Sequence, residues 1–109
     1  MNIGITRAGT AIVYKPHQDL ASFKEEAESL SNSDRFDLYC MYPWLAIRSK
    51  RKYGGESDEY EWWVHRLRVI TATLGPEEIQ EEASKTNATN SYKMSQLGKK
   101  MVSHFWRER

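Results

Sequence analysis

The sequence predicts a mainly helical α+β domain, a small bundle of four to five helices with an N-terminal β-hairpin. Three observations lead there. Apolar residues recur at three- and four-residue spacing from about residue 19 onward. Two β-prone runs flank a glycine within the first 15 residues, and the helical stretches are punctuated at Gly54-Gly55 and Gly75-Pro76. A length of 109 residues suits one domain (1–109), with the hairpin at 1–15 and a helical body at 19–109.

The hairpin rests on Ile3-Gly4-Ile5-Thr6 and Thr10-Ala11-Ile12-Val13-Tyr14. Arg7-Ala8-Gly9 joins them, a short link whose glycine can take a positive φ. An isolated hairpin is marginal in water, so it must lie against the helices or pair with another strand, one from a second chain included. Pro16 ends it.

Asp19 suits an N-cap, and Leu20, Phe23, Ala27 and Leu30 form one stripe, so the first helix runs from about Asp19 to Leu30. Ser31-Asn32-Ser33-Asp34 is turn and cap chemistry. Phe36, Tyr39, Cys40, Pro43, Trp44 and Ile47 would then line one face of a second helix, which Pro43 either kinks or restarts. The alternation Phe36, Leu38, Cys40, Tyr42 also allows a short strand. Beyond Gly54-Gly55, Ser57-Asp58-Glu59 opens a helix whose stripe is Tyr60, Trp63, Val64, Leu67, Thr71 and Leu74. A hairpin about Gly54-Gly55 competes, because 62–73 is rich in β-formers. Helix is favoured, since alternation would put Arg66 and Arg68 on one face with Trp62 and Val64. Pro76 starts a short acidic helix to about Lys85. A last helix begins at Asn90 or Ser91, with Met94, Leu97, Met101, Val102 and Phe105 inward.

Composition excludes several classes. No run reaches the roughly 18–20 apolar residues of a membrane span, and no charged start precedes a hydrophobic run, so a non-secreted, cytoplasmic or nuclear protein is expected. Cys40 is the only cysteine, which forbids an intramolecular disulfide or a multi-thiolate zinc site. His17, His65 and His104 lie in separate elements, without a ligand at helical spacing. Cys40 sits among Tyr39, Met41 and Tyr42 and reads as a buried thiol, not a nucleophile. No glycine-rich phosphate loop or paired carboxylate emerges, so neither catalysis nor a cofactor nor a metal is expected. Asn87-Ala88-Thr89 matches a glycosylation sequon but reads as a polar loop.

Charge is blocked although 16 basic and 15 acidic residues leave a net +1. Arg48, Lys50, Arg51 and Lys52 are followed at once by Glu56, Asp58, Glu59 and Glu61. A second acidic block, Glu77, Glu78, Glu81 and Glu82, precedes a basic C-terminal helix. Two functional expectations follow. The first is a non-enzymatic regulatory or accessory protein that binds a partner protein through surplus aromatics and their charged neighbours, with Trp62, Trp106, Tyr53, Arg66 and Arg107 as anchors. Its size and its wealth of Trp and Tyr match the style of small virus- or phage-encoded accessory proteins. The second is nucleic-acid binding through basic-aromatic clusters at 48–53 and 93–109, carried by Arg48, Lys50, Arg51, Lys52, Lys99, Lys100, Arg107 and Arg109. A sequence pI near 7.9 and the acidic blocks weigh against the second. The two clusters make a groove only if they lie on one face. Self-association is compatible with both, and a four-cation run can also serve nuclear import or touch anionic lipid.

Overall fold

Thr6-Arg7-Ala8-Gly9-Thr10 reverses the chain because Gly9 adopts φ +95°, a region costly for other residues. In the computed structural model, which describes residues 2–107 and gives no side-chain detail for 2, 3 and 103–107, this loop joins β1 (Asn2–Ile5) to β2 (Ala11–Val13). The strands are antiparallel, with Gly4 opposite Ile12, Ile5 opposite Ala11 and an irregularity between Asn2 and Gly4. Gly4, Thr6 and Ile12 face inward while Ile5 is exposed. Gly4 is required for space: a Cβ there would lie 2.7 Å from Met41 Cε.

Five helices follow: α1 (Leu20–Ser29), α2 (Asn32–Tyr53), α3 (Asp58–Thr73), α4 (Pro76–Thr86) and α5 (Ser91–Arg107). Their starts are those the cap residues predict. Asp19 accepts from the Ser22 N–H, Ser31 from Asp34 and Ser57 from Tyr60. The bond from Ser22 holds the Asp19 carboxyl below its ordinary range. Asn90 Oδ1 accepts from the Lys93 N–H at 2.8 Å, and left-handed Asn87 closes α4.

The central element is α2, which packs against α3, α4 and α5. It is one helix through Pro43, so neither the restart nor the strand alternative holds. Pro43 offers no N–H to the Tyr39 carbonyl, a local cost of roughly 3 kcal/mol, and burial on both sides of the helix offsets it. Leu38, Met41, Tyr42, Leu45 and Ala46 join the main core with Trp63, Ile70 and Val102. Phe36 and Cys40 form a second cluster with Ala83 and Ala88. Ile47, expected on the inner face, is exposed.

A polar clasp fastens the hairpin turn to α2. The Asp37 carboxylate, fully buried, accepts from the Arg7 backbone N–H and Nε, each at 2.8 Å, and Arg7 Nη2 lies 2.8 Å from it. These bonds raise the Arg7 pKa. Asp34 accepts from the Thr6 and Thr10 hydroxyls at 2.7 and 2.6 Å. Glu82, which the sequence places in an exposed acidic block, is buried between Arg7 and Lys85. The hairpin therefore lies against helices of its own chain, with β1 beside α5.

The largest correction concerns α3. Of the predicted stripe, Trp63 and Leu74 are buried and Tyr60, Val64 and Leu67 pack half-buried against the core, but Thr71 is exposed, and the buried arc extends round to Trp62, Arg66 and Ile70. The physical reason is the neighbours. The helix packs against α1 as well as α2, and the end of the hairpin covers its first turns. Trp62 keeps only 8% exposure. Its Nε1 donates to the Lys15 carbonyl at 3.0 Å, and its ring meets Tyr14 edge-on at 5.0 Å and Trp63 at 4.7 Å. Arg66 is 3% exposed, its guanidinium 3.9 Å from the Trp62 ring centroid and 5.5 Å from that of Phe23, and it donates to the Gln18 carbonyl. Neither presents a surface anchor.

Candidate nucleic-acid interface

The last turns of α2 carry Arg48, Lys50, Arg51 and Lys52, a placement that the helix dipole favours at a C-terminus. Gly54, at φ +95°, ends the helix there. Arg48 is half-buried; Lys50, Arg51 and Lys52 are exposed. Lys52 Nζ stands 5.1 Å over Tyr53, which is 54% exposed, and Lys50 Nζ stands 5.9 Å from the Tyr60 ring centroid.

The second cluster reaches this helix through one close crossing. Gly98 of α5 sits so near α2 that a Cβ on it would lie 2.0 Å from the Cys40 carbonyl oxygen and 3.2 Å from Trp44 Cδ1. Trp44 Nε1 donates to the Ser95 carbonyl at 2.8 Å, which fixes the indole. On the next residue after Gly98, Lys99 places its ammonium 5.5 Å from the Trp44 ring centroid. Arg48 and Arg51, four and seven residues beyond Trp44, continue the same face of α2. Four residues of helix rise only about 6 Å. Lys99 thus meets α2 at Trp44, on the side of the helix that Arg48 and Arg51 continue.

The acidic start of α3 lies elsewhere. Ser49 Oγ donates to Glu59 at 2.8 Å, and Ser49 is roughly 200° round α2 from Arg51. The acidic first turn of α3 therefore meets α2 on the side away from Arg51.

Beside Trp44 a cleft of about 370 Å³ opens between α2, α3 and α5. Tyr39, Pro43 and Trp44 form one wall and Leu67 and Thr71 another. Ser91, Met94 and Ser95 close it from α5. Cys40 also borders it, but burial pushes its thiol up to about 12, which keeps it protonated at neutral pH. Among the described residues, no group of three His, Cys, Asp or Glu side chains gathers to hold a metal ion, and no helix is long and apolar enough to cross a membrane.

Of the expected partner anchors, Tyr53 is exposed, Trp62 and Arg66 are buried, and the Trp106 and Arg107 side chains lie outside the described residues. Of the expected nucleic-acid residues, Arg48, Lys50, Arg51, Lys52, Lys99 and Lys100 are described, and Arg107 and Arg109 fall outside in the same way. The sequence reading passed over Tyr92. It is 73% exposed and sits two turns before Lys99 on the same stripe of α5. Its seven-residue spacing from Lys99, off the apolar stripe, is the sign that would have found it. Comparison of the chain with known protein families, with curated proteins and with solved structures yields no match.

Proposed function

We propose that this protein binds nucleic acid through the basic, aromatic-edged face where α5 crosses α2. The observation that carries the reading is Lys99 seated on Trp44, one turn before Arg48: a cation of the second cluster reaches the side of α2 that carries Arg48 and Arg51 of the first, some fifty residues away in sequence. Lysine and arginine on such a face meet phosphates by releasing condensed counterions, and exposed Tyr92, on the Lys99 stripe of α5, offers a ring on which a base can stack. The acidic turn of α3 is held on the far side of α2, which spares the phosphates its repulsion.

The test is anisotropy of a labelled oligonucleotide titrated with the protein over a range of salt. Affinity should fall steeply as salt rises. Replacing Arg48, Arg51, Lys99 and Lys100 by Gln should flatten the log–log slope by about 0.7–0.9 for each phosphate contact removed. Absence of binding at low salt rejects the reading. It would leave in its place a regulatory protein that docks on a partner protein, a role that exposed Tyr53 with Lys52 over its ring supports.

A further inference from the structure

We propose that the cleft between α2, α3 and α5 receives one unpaired nucleobase, so that the basic face prefers single strands to duplex; the inference rests on the nucleic-acid reading above. The volume, about 370 Å³, falls in the range of pockets that enclose small ligands. Its walls combine the flat apolar surfaces a base face needs with hydroxyls that can bond a base edge. Trp44, Pro43, Leu67 and Met94 supply the first, and Thr71 and Ser95 the second.

Charge decides between a base and an apolar side chain as occupant. Lys99 stands over the very indole that lines the cleft, and Arg48 follows one turn along α2. A base entering the cleft brings its phosphates with it, and both cations stand at the Trp44 end of the cleft, where an apolar side chain would gain nothing from them. Trp44 is held ready for this, because its Nε1 bond to the Ser95 carbonyl fixes the ring that Lys99 covers. A duplex buries its base faces by stacking and cannot offer one to a cleft without extruding it.

Three probes separate the cleft from the basic face: a short oligothymidylate, an all-abasic phosphodiester chain of the same length, and a duplex of that length. The wild-type protein should bind the oligothymidylate roughly tenfold more tightly than the abasic chain, the scale of one stacked base, and more tightly than the duplex. Thr71→Phe fills the cleft from an exposed rim position. It should remove most of that preference, leaving only what stacking on exposed Tyr92 adds, and leave abasic binding unchanged. Ser91→Phe, on the first turn of α5 and also exposed, repeats the test should Thr71→Phe not fold. A tenfold preference that survives the cleft-filling variants overturns the inference, as does equal binding of the two single strands, while salt-dependent abasic binding keeps the basic-face reading. Failure of every probe to bind at low salt overturns both. A cleft filled instead by a side chain of a partner protein, or by a second copy of the chain, gives equal binding of the two strands; in the second case the mass in solution also exceeds that of one chain.

Discussion

Arg66 brings a positive charge into an aromatic enclosure with no carboxylate in salt-bridge reach among the described residues. Burial lowers its pKa, and its Nε has no hydrogen-bond partner. What holds it is the flat guanidinium between Trp62 and Phe23 and one bond to the Gln18 carbonyl. A desolvated cation–π contact gives about 2 kcal/mol and a charged hydrogen bond about 1.5–3 kcal/mol, against a desolvation cost of several kcal/mol. Shape therefore matters more than charge here. Arg66→Lys should lose about 1–3 kcal/mol in urea denaturation, because an ammonium cannot fill a planar slot. Arg66→Met should stay within about 1 kcal/mol of wild type, since an apolar chain avoids the desolvation. A lysine variant as stable as wild type would refute this. Nothing in the spacing of the sequence distinguishes such an arginine from a solvated one. Arg66 and Trp62 read as surface because the Tyr60–Trp63–Leu67 stripe by itself accounts for a buried side, and only the packing of the hairpin and α1 widens it.

At the scale of elements, the α2–α5 crossing depends on Gly98. Alanine is the better helix former by about 1 kcal/mol, yet its Cβ would lie 2.0 Å from the Cys40 carbonyl oxygen, a backbone atom that cannot step aside. Overpacking of this kind costs about 1–3 kcal/mol. Gly98→Ala should therefore lower Tm, the reverse of the propensity effect, and a raised Tm would show that the helices separate easily. The same variant should loosen the seating of Lys99 on Trp44. Helix starts were legible because Asp19, Ser31, Ser57 and Pro76 announce them locally. The hairpin was legible because Gly9 supplies the turn it needs. The interior of α2 was not. A helix buried on two sides shows no single stripe, and its Leu38–Cys40–Tyr42 alternation is also what a strand would present.

For the whole molecule, two buried ionisable groups in the core link stability to pH. Burial raises the Cys40 thiol from an ordinary 9.0 to about 12 and also raises the Tyr42 hydroxyl. A folded state that holds its protons more tightly than the unfolded one loses stability as pH climbs. The full contribution of these groups is present below about pH 9 and drains away toward pH 12. Denaturation midpoints measured across that window should fall, and Cys40→Ala should soften the fall at its lower end; a flat profile would count against the burial of both. The basic face belongs to this scale as well. The sequence named its cations but could not bring Lys99 to the side of α2 that carries Arg48 and Arg51, because that approach depends on a glycine and an indole meeting across two helices.

The clasp between the hairpin turn and α2 also orders events in time. A ribosome makes β1 before the carboxylates that hold its turn: Asp34 and Asp37 emerge some thirty residues later, and α5, against which β1 rests, later still. β1 thus waits for α2 and α5 before it can find its place. The loop that must close to seat it spans most of the chain, and loops that long make slow late steps.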